Sequence, residues 1–210
     1  MGDPHAIRDE AALRALVGEP IPGLDLKNEA RIGEEAREYI ERSPFIVLAT
    51  CDAEGHLDAS PKGDGPGFCV IEDERTLLIP DRPGNKLAYG LSNILVNPRV
   101  GVIFMLPGTP ETVRVNGRAE LTADPEVLER LAARGKPAVL AIRVHVDECF
   151  HHCAKAFIRS KLWSPDAWSE RLKISFGRMA AKRMKLAESA ADDVAEKFDA
   201  AVETDYRENL

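Results

Sequence analysis

Between Phe45 and Val146 the chain is divided into short β-favouring runs by turn residues, and this pattern leaves few folds open. The runs are FIVLAT (45–50), HLDASP (56–61), FCVI (68–71), LLIP (77–80), VGVIFM (100–105), TVRVNGRAEL (112–121) and AVLAIRVHV (138–146). DAEG, GDGPG, DERT and PGTPE separate several of them. Strands this short, joined by turns this tight, pair antiparallel; parallel neighbours need longer crossovers. The expectation is a mainly β, α+β fold: a six- to seven-stranded antiparallel sheet or barrel with flanking helices. In the sixth run, Asn116-Gly117 predicts a kink or turn.

Helical periodicity fills the remainder. Glu10 to Val17 and Ile32 to Glu41 read as helices on either side of the EPIPGLDLKN loop, where prolines and a glycine exclude helix. In DRPGNKLAYGLSNILVNP, Leu87, Leu91, Ile94 and Leu95 recur at helical spacing, with Pro83 suited to a first turn and Pro98 as the stop. DPEVLERLAARG predicts a helix capped by Asp124 and ended at Gly135. The segment from about Phe176 to Tyr206 is Ala-, Lys-, Glu- and Met-rich and predicts further helix.

A chain of 210 residues that is 44% hydrophobic suits one cored domain with extensions. Its net charge of −7 argues against general nucleic-acid binding, which draws on a basic excess. No run approaches the roughly 18 apolar residues of a membrane span, and the charged N-terminal segment has no apolar core of a signal peptide. A cytoplasmic location is expected, with Cys51, Cys69, Cys149 and Cys153 as free thiols.

GDGPG (63–67) is not a dinucleotide fingerprint, since the glycine spacing is wrong and a strand follows. The sequence contains no phosphate-binding GxxxxGK[ST] and no GxSxG elbow. CFHHC (149–153) gathers four metal-ligand types. On a helix, however, its cysteines share a face that the histidines leave, and no second ligand pair follows, so no metal site is expected.

Two basic clusters stand out from the acidic background. ASPKGD offers the Ser60 hydroxyl and the Lys62 ammonium at a strand end; alone, it also reads as a solvated end. DRPGNK offers Arg82, Asn85 and Lys86 around Gly84, where a helix start adds oriented N–H groups suited to a phosphate; alone, it also reads as an ordinary helix start.

In order and spacing, IVLATCDAEGHLDASPKGD, TLLIPDRPGNKLAYGLSNILVNPRVGVIF and ETVRVNGRAEL resemble the pyridoxamine 5'-phosphate oxidase superfamily of FMN-binding split barrels. The resemblance covers roughly residues 44–165. It implies an N-terminal helical extension (1–43), an FMN-binding split β-barrel (44–165) and a C-terminal helical extension (166–210). It further implies a homodimer with shared FMN sites and a small-molecule substrate.

Ser60, Lys62, Arg82, Asn85 and Lys86 fall at the phosphate end, where the true oxidases carry Ser-Arg-Lys and this chain has Gly84-Asn85-Lys86. Thr112 stands where those oxidases bring a glutamine to the flavin, and Arg114 is retained two residues on. HCAKAFIRSKLW resembles a segment reaching the partner's cofactor, which makes Lys155, Arg159 and Trp163 candidates; Lys155 and Arg159, four apart, equally suit a solvated helix face. The oxidases' C-terminal substrate-binding region has no match. The resemblance points to an FMN-dependent oxidoreductase of another branch, or to a non-catalytic FMN-binding or redox-sensing dimer. Catalytic residues are left unassigned.

Overall fold

In the computed structural model, which describes residues 3–208, the β-favouring runs become β1 (Phe45–Cys51), β2 (Leu57–Gly63), β3 (Val70–Asp73), β4 (Thr76–Asp81), β5 (Arg99–Met105), β6 (Thr112–Thr122) and β7 (Leu140–His152). They form one antiparallel sheet in the order β2-β1-β5-β6-β7-β4-β3. Among the described residues no ladder joins β2 to β3, so the sheet coils without closing: a split barrel.

Alternation along the strands decides which face is core. Ile46 and Leu48 of β1, Val102 and Phe104 of β5, and Val113 and Val115 of β6 point inward and are buried. Each such side chain contributes on the order of 1.5–3 kcal/mol by leaving water. The kink expected at Asn116-Gly117 is a bulge. Asn116 pairs with Glu148 and Gly117 with Val146, leaving Asp147 as an extra residue on β7. The extra residue reverses the alternation, so that Val144, Val146 and then Cys149 all face the core. Gly117 is obligatory here, because a Cβ would lie 2.2 Å from the His145 carbonyl oxygen.

The first helix, α1 (Glu10–Val17), has its expected bounds and an Asp9 cap, but none of its residues is buried. A 3-10 turn follows at Leu24–Lys27, and then α2 (Glu34–Arg42). Ala36, Tyr39 and Ile40 of α2 enter the same core as the strands. The Tyr39 hydroxyl donates to the Glu111 carbonyl at 2.7 Å and accepts from the Leu106 amide at 3.0 Å, tying α2 to the β5–β6 turn. Helix α4 (Pro125–Arg130), capped by Asp124, covers Leu78 and Ala141 from outside; it ends before Gly135, whose φ of +74° shapes the following turn.

Helix α3 (Tyr89–Val96) starts later than the sequence predicts. Asn85 accepts from the Leu87 amide at 3.0 Å, and Lys86 and Ala88 take left-handed φ of 61° and 54°. That local turn outcompetes helix, so DRPGNK is a loop and not a helical first turn. β7 differs in the other direction and runs on through CFHH, so the helical reading of CFHHC is corrected. A long pairing with β6 fixes the segment as strand. Cys149 and His151 therefore face one side and Phe150 and His152 the other, which prevents the four ligand types from converging.

After β7 come α5 (Lys155–Ser160) and a hairpin of α6 (Phe176–Arg183) and α7 (Glu188–Glu208). Gly177 lies against the Ala195 backbone, where a Cβ would sit 2.3 Å from the carbonyl oxygen. Among the described residues no helix is long and apolar enough to cross a membrane.

Candidate functional site

β2 alternates with period two. Asp58, Ser60 and Lys62 are half-buried on the inner side, while Leu57, Ala59, Pro61 and Gly63 are exposed. Ser60 donates to Asp58 Oδ2 at 2.5 Å. The first turn of α3 closes on this pair, and a Cβ at Gly90 would lie 3.1 Å from Asp58 Oδ2 and 3.6 Å from Ser60 Oγ. Asn93 donates to the buried Thr50 hydroxyl at 3.0 Å. Ser60 thus meets a helix start, as expected, but at Tyr89-Gly90 and beside a carboxylate. Asp58, Thr50 and Asn93 escaped the sequence reading, although the i, i+2, i+4 spacing of Asp58, Ser60 and Lys62 carries part of that signal.

The cations at this end are unequally committed. Lys62 Nζ lies 2.6 Å from Asp81 Oδ1. Arg82 donates from Nε to Asp64 Oδ2 at 2.9 Å and from Nη1 to the Leu131 carbonyl at 2.8 Å. It anchors the β2–β3 loop to the end of α4. Lys86 is exposed, and no ion pair holds it among the described residues.

Thr112 and Arg114 lie on the opposite face of the sheet. Cross-strand partners share a face: Arg114 faces Ile103, which faces Val47, which faces Pro61. Arg114 also stands opposite Phe150, with its guanidinium carbon 6.0 Å from the ring centre. Its Nε is buried with no hydrogen-bond partner. Lys27 Nζ lies 5.8 Å from the same ring centre. Thr112, 4% exposed, pairs with His152. The His152 imidazole is held below its ordinary range, first by burial and then by Arg114 and Lys27. No sequence signal marks Lys27 or Phe150, because the backbone pairing of Glu29 with Cys149 that brings the arm here is long-range.

In the third segment, Trp163 stacks on Phe157 with centroids 5.6 Å apart and donates its indole N–H to the Thr109 carbonyl at 3.0 Å. This pins α5 to the β5–β6 turn. Lys155 and Arg159 are exposed on α5. Cys149 is buried, which pushes its thiol up to about 12; Cys153 is exposed. One chain therefore places Ser60, Lys62 and Arg82 near the split edge, leaves Asn85 and Lys86 exposed in the loop before α3, and puts Thr112 and Arg114 on the other face.

No curated protein matches this chain by sequence. Among solved structures, HupZ of Group A Streptococcus is similar at 19% identity and a TM-score of 0.47, over 57% of this chain and 93% of that one. An FMN-binding protein of Syntrophomonas wolfei is similar at 11% identity and a TM-score of 0.41, over 56% and 88%. A FAD-binding protein of Mesorhizobium loti is similar at 18% identity and a TM-score of 0.39, over 60% and 99%. The family model for pyridoxamine 5'-phosphate oxidase matches residues 32–153, more than half of the chain, from α2 to the end of β7. The chain belongs to the pyridoxamine 5'-phosphate oxidase family.

Proposed function

We propose that the protein is an FMN-dependent oxidoreductase acting on a small molecule, with two cofactor sites shared by a homodimer. The family match over residues 32–153 carries this reading and supports a flavin cofactor. The residues fit such a group at two points: the Ser60 hydroxyl meets the first turn of α3 at Gly90, and Arg114 offers a buried donor without a partner. Ser60, Asn85 and Lys86 hold the phosphate, and Arg114 faces the electron-rich edge of the ring system. FMN supplies the redox chemistry when bound; the protein supplies position and charge.

Two observations support the shared site. The phosphate-end and ring-end candidates occupy opposite faces of one sheet, so a second copy brings the complementary set. The outer face also carries Leu57, Phe45, Val47, Ile103 and Phe150, with Leu57 83% exposed. The chain exposes 14733 Å², where a compact monomer of its mass exposes about 9,700 Å². That excess is about twice what each partner of a large homodimer interface covers, roughly 1,000–2,500 Å², so the protruding terminal elements share in it.

The test is the absorbance spectrum and mass of the cofactor that co-purifies, with sedimentation of the same sample. FMN at one per chain in a dimer is expected. Tightly bound FAD or F420, or protein that takes up no FMN, overturns the cofactor assignment. A monomer with full FMN affinity overturns the shared site. FMN held without turnover by electron donors makes the protein a non-catalytic FMN-binding or redox-sensing dimer.

A further inference from the structure

We propose that Lys27 and Arg114 form, around Phe150, a two-cation site for the acidic group of the substrate, a small carboxylate or phosphate. This inference takes its redox context from the FMN reading, but its geometry stands without it.

The site is assembled by long-range pairing. The amides and carbonyls of Glu29 and Cys149 bond reciprocally at 2.9 and 2.7 Å, laying the N-terminal arm along the end of β7. The 3-10 turn ending at Lys27 is thereby set beside Phe150, and Lys27 and Arg114 approach the same ring. Either contact alone is an ordinary cation–aromatic pair. Both cations also depress the same imidazole, His152, so they share one electrostatic neighbourhood, and like charges there call for a counter-charge.

The protein pairs no carboxylate with either cation among the described residues, although it has 35 acidic against 28 basic residues. Glu148 is the acid on the same face of β7, two residues before Phe150. Its two oxygens are taken by amides, Asn28 Nδ2 at 2.8 Å and Asn116 Nδ2 at 2.9 Å. Glu29, next to Asn28, pairs with Arg31 at 3.3 Å. Glu29 is thus paired with Arg31, while two neutral amides fix the Glu148 carboxylate in place without ion-pairing it to either cation. In the flavin reading the one hydrogen of the buried Arg114 Nε goes to the cofactor, and the Nη groups, which bond to nothing among the described residues, are left for the substrate's oxygen. His152 completes the surround. Kept neutral by burial and by the two cations, it adds a hydrogen-bonding group and no third charge.

The arrangement suits a single negative group held by one guanidinium and one ammonium. One of its two cations comes from outside the family-matched segment 32–153, so substrate choice in this branch depends on the N-terminal arm.

The experiment titrates inorganic phosphate, and separately benzoate, into the full-length protein, cofactor-free and FMN-loaded. The His152 imidazole resonance is the reporter, alongside FMN affinity. Saturable binding is expected in both forms, with an upward shift of the His152 titration as the anion offsets the cations. Lys27→Met should weaken it roughly ten- to a hundredfold, the value of one charge-assisted bond, and Lys27→Arg should restore it. Lys27 is exposed, so the variant keeps its fold; an unchanged melting temperature verifies this. Anion affinity in Lys27→Met equal to wild type, or no saturable binding in wild type, overturns the proposal. Displacement of FMN by the anion assigns the cations to the cofactor and overturns their role toward substrate. Failure to bind FMN with anion binding intact refutes the cofactor reading and leaves the two-cation site standing.

Discussion

Lys62 of β2 and Asp81 of β4 form an ion pair at 2.6 Å across the gap where the sheet fails to close. Five strand positions separate them in the sheet order, and only coiling of the sheet brings them together. Arg82 and Asp64, the next residues beyond these strands, repeat the connection at 2.9 Å. The split edge is thus held by two charge pairs in place of a backbone ladder. The Lys62 and Asp81 side chains are only 17% and 19% exposed, so removing one strands the other in partial burial. Lys62→Met should cost on the order of 1.5–3 kcal/mol, and Lys62→Met/Asp81→Leu should recover most of it. Urea unfolding of the three proteins checks this; additive losses in the double variant would show that the residues act independently.

The phosphate end separates two cations that look equivalent in DRPGNK. Lys86→Ala should weaken FMN about tenfold, the value of one charge-assisted contact, and leave riboflavin binding unchanged. Arg82→Ala removes the ties to Asp64 and Leu131. It should lower the melting temperature of cofactor-free protein and weaken both flavins alike. Parallel titrations with calorimetry decide it: a riboflavin-indifferent Arg82→Ala would return Arg82 to the phosphate.

Gly117→Ala tests the bulge. Its Cβ would meet the His145 carbonyl, so backbone must shift, at a cost of about 1–3 kcal/mol. Gly65→Ala, with open space around the site, is the control and should stay within about 0.5 kcal/mol of wild type. Thermal unfolding of both is sufficient, and equal stability would place the bulge elsewhere.

His152 should titrate below the ordinary imidazole range, because burial first, and Arg114 and Lys27 next, disfavour its charged form. The unfolded chain then binds the proton more readily, so His152 withdraws stability as pH falls below the ordinary imidazole value and withdraws none above it. Arg114→Met should move the titration upward. Nuclear magnetic resonance of the ring reads both effects; an ordinary midpoint would mean that His152 is solvated and distant from the two cations.

The period-two strands and their turns were legible because each is specified within a few residues: β1 by FIVLAT, the β6 kink by Asn116-Gly117. Ser60 and the start of α3 were legible as neighbours through the family resemblance. The start of α3 at Tyr89 was not, because two left-handed residues that periodicity cannot register decide it. CFHHC misled because it is short and its strand state comes from β6, more than 30 residues earlier. Lys27 was invisible for the same reason: a two-residue backbone pairing places it.

β7 pairs with β6 along its whole length and with β4 through Leu140–His145. Among the described residues, the β3–β4 hairpin therefore has its backbone ladder to the rest of the sheet only with a strand made some 60 residues later. During synthesis, Leu77 and Ile79, both fully buried at the end, leave the ribosome with their docking strand still unmade. β1 and β2 can pair meanwhile, since only the turn 52–56 separates them. The topology predicts that the hairpin docks only once residues 140–145 are made. A chain cut between α4 and β7 should be captured by chaperones at the β3–β4 hairpin.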